Sequence, residues 1–289
     1  MGALIKLAKL SPFFVLLLPC LFASARVSLK MAPVNQSHSL FAQSAVQVLD
    51  RDFSDGNISY LLFDARSGVL LVSRWENQNK PIPLGSLVKP FTALAYAEAH
   101  DYRYPAYECR GRVSGCWSTQ PHGDLNIVSA ISVSCNSYFR SLAENVARSE
   151  VGLVARDFCL EAPDENISAA GQIGLGDQWR IAPTRMARAY LELVRRREQP
   201  GISELLIGMS QAAQNGTGAA VGHALKNSDA LVKTGTAPCT HSPHAPGDGF
   251  VVAIVPAQQP EILLMIQVHG VPGAKAAETA GRMLRRMEE

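Results

Sequence analysis

The chain has 289 residues, 47% of them apolar and 18% charged, with 22 Gly and 17 Pro. That length suits one large domain or two small ones with a full core, and the low charge excludes a disordered chain. Basic and acidic residues number 27 and 25, a net +2; this balance argues against a nucleic-acid partner, because gripping a polyanion requires a strongly basic surface.

The first 25 residues carry Lys6 and Lys9 but no acid, then Phe13 to Phe22 and Ala23-Ser24-Ala25. A charged start, an apolar stretch and an A-x-A pattern are the order of a secretory signal peptide. The alternative is a membrane anchor, but the uncharged run from Leu10 to Ala25 is only 16 residues long and contains Pro12 and Pro19; a spanning helix needs ~20. Either reading puts residues 26–289 outside the cytoplasm, in the periplasm or on the outer face of the membrane, with membrane association only through the N-terminus.

Helical spacing of Leu40, Phe41, Ala45, Val48 and Leu49 predicts a helix over Ser39 to Phe53. Ile58 to Asp64 and Val69 to Arg74 read as a strand hairpin across Ala65-Arg66-Ser67-Gly68. A Pro-rich connector leads to a helix from Ser86 to His100, whose apolar positions surround it and imply burial. Residues 101–182 carry no strong strand signal, and Asn126 to Ala147 is helical on both sides of a polar break at Ser134-Cys135-Asn136. Pro183 to Arg197 is an amphipathic helix with Pro in its first turn, and Ile202 to Gln214 follows. Strands are expected over Ala230 to Thr236, Gly249 to Val255 and Glu261 to His269, and a closing helix over Ala274 to Met287. Two early strands and three late ones around a helical block predict an α+β fold: an antiparallel sheet built from both chain ends, flanked by helices, with an inserted all-α lobe.

Three short motifs stand in order: Ser86-Leu87-Val88-Lys89, Ser134-Cys135-Asn136 and Lys233-Thr234-Gly235-Thr236-Ala237. A serine hydroxyl becomes a nucleophile when a base takes its proton, and lysine is a base only when neutral. Lys89, one turn from Ser86, reaches that state through burial and a second cation, for which Lys233 is placed. Ser134 offers a proton relay and Asn136 an amide for a substrate's own amide. Lys233 attracts a carboxylate, and the strand that carries it can pair with an extended peptide. The N–H groups of Ser86 and Thr236 would form an oxyanion hole, worth roughly 2.7–4 kcal/mol per donor.

The set of motifs resembles that of penicillin-binding proteins and serine β-lactamases. PLGSLVKPFTALAYAEA is similar to the active-serine segment of a penicillin-binding protein transpeptidase domain, and CRGRVSGCW with PHGDLNIVSAISVSCNSYFRSLA to its second-motif segment. LVKTGTA and GFVVAIVPAQQPEILLMIQVHG are similar to the third motif and last strands, so the likeness runs from about Ile58 to Met287. The resemblance implies Ser86 as acylated nucleophile, Lys89 as general base and Ser134 as relay. Asn136, Lys233, Thr234, Gly235 and Thr236 would hold a D-Ala-D-Ala stem peptide or a β-lactam, with no cofactor. A DD-transpeptidase or DD-carboxypeptidase is implied, with a glycan-chain polymerase as a plausible partner. A β-lactamase and a non-turnover β-lactam or wall-fragment sensor are the alternatives. Leu87-Val88 departs from the family's usual pair, and about 50 residues before the first strand are too few for a glycosyltransferase or pedestal domain.

Five cysteines follow the leader: Cys109, Cys116, Cys135, Cys159 and Cys239. Cys109 and Cys116 bracket a short loop and are either a disulfide or two thiols. Without a C-x-x-C pair the spacing offers no zinc ribbon; Cys239, His241 and His244 read as a solvated loop rather than a metal site, His122 as structural and Cys135 as a packing thiol. Glu161 and Glu165, where a deacylating carboxylate would be sought, read as loop residues.

Overall fold

The computed structural model describes residues 36–239 and 247–289. The expected leader, His241 and His244 lie outside them. Among the described residues no helix is long and apolar enough to cross a membrane.

In chain order the elements are α1 (Gln36–Asp52), β1 (Ile58–Asp64), β2 (Leu70–Arg74), β3 (Ile82–Pro83), a 3-10 turn (Gly85–Val88), α2 (Lys89–Ala99), β4 (Tyr107–Cys109), a second 3-10 turn (Gly111–Ser114) and β5 (Gly123–Leu125). Then come α3 (Ile127–Ser132), α4 (Asn136–Glu144), α5 (Arg148–Asp157), α6 (Ala169–Gln172), β6 (Arg180–Ile181), α7 (Pro183–Arg195), α8 (Ser203–Asn215), α9 (Ala219–Ala224), β7 (Leu231–Ala237), β8 (Asp248–Val255), β9 (Ile262–Val268) and α10 (Gly273–Glu288).

Five strands form an antiparallel sheet in the order β2-β1-β9-β8-β7, so both ends of the chain build it, as predicted. Its central strands are buried on both faces. Tyr60, Leu62, Val251, Ala253, Leu264 and Ile266 face a core closed by the terminal helices. Their neighbours Leu61, Phe63, Phe250, Val252, Leu263 and Met265 face the helical lobe. Alanines at 276, 277 and 280 let α10 lie close on the sheet.

The lobe is helical apart from two short ladders, β3 with β6 and β4 with β5. Pieces of two or three residues show no readable period, so the sequence does not announce them. The helix expected from Ser86 begins instead as a 3-10 turn, and α2 proper starts at Lys89 with Pro90 in its first turn. The break expected at Ser134 separates α3 from α4. Asn126 caps α3 through a reciprocal pair of bonds with Ser129.

Candidate active site

Ser86 is half-buried in the 3-10 turn, three residues before Lys89. Side chains three apart in a 3-10 turn eclipse one another, which places the hydroxyl and the amine on one face. Two glycines set this turn against the edge strand β7. Gly85 has φ +59°, and a Cβ there would lie 2.3 Å from the Thr236 carbonyl oxygen and 2.7 Å from its nitrogen. A Cβ on Gly235 would lie 2.5 Å from the Leu84 carbonyl oxygen. Any larger side chain at either position would push the serine turn away from the strand.

Lys89 is fully buried, and its Nζ donates to the Ser134 carbonyl oxygen (2.8 Å), to Asn136 Oδ1 (2.6 Å) and to Ser134 Oγ (3.3 Å). From the sheet side, the equally buried Lys233 donates to Ser134 Oγ (2.9 Å) and to the Thr234 carbonyl oxygen (2.8 Å). One hydroxyl therefore sits between two amines. Burial takes Lys89 down to about 7, opposed by the nearby Cys135 and Cys116. Burial and the charge of Lys89 together push Lys233 well below the ordinary lysine range. Two cations cannot share a dry pocket cheaply, so the pair favours one proton fewer than two ammonium groups would hold.

Ser134 occupies the left-handed backbone region, φ +51°. A residue other than glycine holds that conformation only when its surroundings fix it, and such strain collects at functional sites. Here the strained turn aims both the carbonyl and the hydroxyl of Ser134 at Lys89. With Asn136 Oδ1 committed to Lys89, its amide N–H groups are left for a ligand.

The structure thus brings Lys89, Ser134, Asn136 and Lys233 into one hydrogen-bonded cluster, with Thr234 beside it. Among the described residues the Ser86 hydroxyl makes no hydrogen bond to this cluster. Catalytic contacts of this kind often tighten only around substrate. Thr236 is exposed, and its hydroxyl accepts from Gly273 N–H at 2.9 Å.

Two participants escaped the sequence reading. Thr217, between α8 and α9, accepts the Thr234 hydroxyl at 2.7 Å and ties its own N–H to the Ser132 carbonyl at 3.1 Å. Trp117 Nε1 donates to the Ser134 carbonyl at 3.2 Å. The Gly216-Thr217-Gly218 run was the available signal for the first; nothing marked the second.

The carboxylates of the connecting lobe are engaged elsewhere. Glu161 accepts from the Ala182 N–H at 3.3 Å and pairs with Arg185, and Glu165 is exposed. Cys109 and Cys116 are unbridged thiols, both buried, and together with His122 and Cys135 they form a four-residue group with metal-ligating side chains. Burial pushes the Cys135 thiol up to about 12. Beyond the third motif, Cys239 lies near Asp248 and His269, but Asp248 already accepts from Gln267, His269 and Gly270.

The family profile described as "Penicillin binding protein transpeptidase domain" matches residues 58–287. No curated protein matches the sequence. Among solved structures, Pseudomonas aeruginosa PBP2 in complex with WCK 5153 is similar at TM-score 0.70 and 16% identity, over 88% of this chain and 73% of that one. Helicobacter pylori PBP2, in a complex with MreC, aligns at TM-score 0.72 and 18% identity over 85% of this chain and 62% of that one. The transpeptidase domain of Burkholderia pseudomallei penicillin-binding protein 3 aligns at TM-score 0.67 and 15% identity, over 88% and 93%. At these identities the structures speak for the fold.

Proposed function

The chain belongs to the penicillin-binding protein transpeptidase family, and from that premise we propose that it is an extracytoplasmic acyl-transferase that forms an acyl-enzyme on Ser86 with D-Ala-D-Ala stem peptides of peptidoglycan. The observation that carries this reading is the convergence of Lys89 and Lys233 on the Ser134 hydroxyl, beside a half-buried serine.

In the reaction, Lys89 Nζ takes the Ser86 proton while Oγ attacks the carbonyl carbon of the penultimate D-Ala. The N–H groups of Ser86 and Thr236 meet the oxyanion, an assignment supported by the approach of Thr236 to Gly85. The tetrahedral adduct collapses as the bond to the terminal D-Ala nitrogen breaks, and Ser134, bridging the two lysines, returns a proton to the leaving amine. An amine of a second stem then takes the acyl group in transpeptidation, or water takes it in carboxypeptidation.

Electrostatics couples binding to activation. A substrate carboxylate at Lys233 and Thr234 favours the charged form of Lys233. That charge in turn disfavours a proton on Lys89, which is left as the base. Substrate arrival would thereby prime the nucleophile. We extend this reading to a glycan polymerase as the partner that supplies the chains to be cross-linked.

Fluorescent penicillin should label the wild-type protein and leave folded Ser86→Ala dark; equal labelling would end the proposal. A label lasting hours fits a transpeptidase or carboxypeptidase, whereas loss within seconds would indicate a β-lactamase. Mass spectrometry of stem peptides incubated with the protein then separates cross-linked dimers from trimmed monomers, and an unchanged peptide would point to a sensor.

A further inference from the structure

Three side chains that the catalytic cluster does not use meet where three neighbouring strands of the sheet have their ends. Cys239 stands two positions past the last residue of β7, Asp248 opens β8, and His269 comes directly after β9. Ala237 pairs with Asp248 and Gly249 with Val268, so the ladder sets these ends side by side. Cys239 Sγ, a ring nitrogen of His269 and a carboxylate oxygen of Asp248 all lie within 4.8 Å of one another.

Asp248 is 1% exposed and accepts from Gln267 Nε2 (2.9 Å), His269 Nδ1 (3.1 Å) and the Gly270 N–H (3.1 Å). None of these donors carries a permanent positive charge, and a buried carboxylate is costly without a countercharge. Zinc sits about 2.0–2.2 Å from an imidazole nitrogen or a carboxylate oxygen, so in a tetrahedral site those two atoms lie about 3.4 Å apart. His269 Nδ1 and Asp248 Oδ2, at 3.1 Å, are close to that separation. A thiolate sulfur would stand about 3.6 Å from each, and the 4.8 Å span of the three donors leaves that approach to a small side-chain movement. Gln267 and Gly270 stay in place as donors that fix the carboxylate, outer partners of the kind that tune metal affinity.

We propose that Cys239, Asp248 and His269 bind one zinc ion. The Cys239 S–H proton passes to solvent, and the imidazole keeps its single proton on the nitrogen that the metal does not hold. Zn–S, Zn–O and Zn–N bonds form with no change of oxidation state. A thiolate and an imidazole select zinc over hard cations such as magnesium and calcium. Thiolate and carboxylate together cancel the charge of the ion, so Arg74, Lys80 and Arg180, which line the adjoining cavity, do not oppose it. Cys239 and His269 lie on the wall of that cavity, about 1040 Å³ in volume, which leaves the fourth position open to solvent. The ion would fasten the end of the edge strand β7, which carries Lys233 and Thr234, to β8 and β9. Zinc binding there is independent of the chemistry at Ser86.

The test uses the full chain under reducing conditions, alkylated with iodoacetamide in the presence of zinc or of chelator, with each cysteine read by peptide mass spectrometry. Zinc should slow alkylation of Cys239 at least tenfold and leave the exposed Cys159 unchanged, and magnesium should protect neither. His269→Ala should abolish the protection and hold one zinc per chain fewer than the wild type by elemental analysis; metal bound elsewhere is common to both proteins and cancels in that difference. Asp248→Asn should raise the zinc concentration needed for protection at least tenfold, and Gln267→Leu on the order of 10-fold. Folded wild-type protein in which Cys239 reacts equally fast with zinc and with chelator would overturn the proposal, even if the variants fail to fold. So would protection shared equally by Cys159, or a His269→Ala variant that keeps the protection or the metal count.

Discussion

The two faces of the sheet follow the same alternation and use it differently. On the outer face, Tyr60, Leu62, Val232, Val251, Ala253, Leu264 and Ile266 meet the terminal helices in a core whose interior positions are apolar. On the inner face, Lys233 and Gly235 occupy positions that alternate with that outer set and are shared with the apolar Leu231 and Ala237. An ammonium where a hydrophobe would pack costs free energy unless it is bonded or neutral, and Lys233 is both bonded to Ser134 and driven toward neutrality. The outer face supplies stability; the inner face gives some of it up for chemistry.

Three experiments would break or sharpen that contrast. The largest effect is expected from Lys89→Met, which keeps most of the volume and removes the base. Acylation by fluorescent penicillin should fall on the order of 10²–10⁴-fold, with thermal stability unchanged or raised because a buried amine is gone. A large loss of stability would mean that the inner face needs its amines to fold. Next comes Leu264→Ala on the outer face, expected to cost about 2–5 kcal/mol by denaturant titration while the acylation rate per folded molecule holds. A slowed rate in that variant would show that the two faces are mechanically coupled.

The smallest effect is that of pH. A base works when unprotonated, so acylation should rise with pH and level off above the Lys89 value of about 7. It should fall roughly tenfold per unit below that value. A flat profile between pH 5 and 8 would remove Lys89 from the role of base, and a profile that falls as pH rises would make its charged form the active one.

The fold was largely readable because the main elements are long. Ile58–Asp64 and the late strands carry runs of β-branched and aliphatic residues, and α7 has Pro183 in its first turn with Met186, Tyr190, Leu193 and Val194 on its buried side. The short ladders β3–β6 and β4–β5 were not readable, since two or three residues carry no period. The site was readable as three motifs, each with a chemical reason for its residue types. Thr217 and Trp117 were not, because a hydroxyl or an indole acquires a role only from what stands opposite it. Nor was the grouping of Cys109, Cys116, His122 and Cys135, whose wide spacing lacks the paired look of a familiar metal motif.

The linear chain determined the alternation that makes the sheet, the polar break that ends α3, and the order of the serine, lysine and amide groups. Only the tertiary structure decided that Ser134 Oγ lies between two buried amines and that three thiols and an imidazole share one small volume. Periodicity and local propensity are properties of neighbours along the chain, whereas the burial and proton affinity of the site amines depend on groups that approach from 45 to 99 residues away.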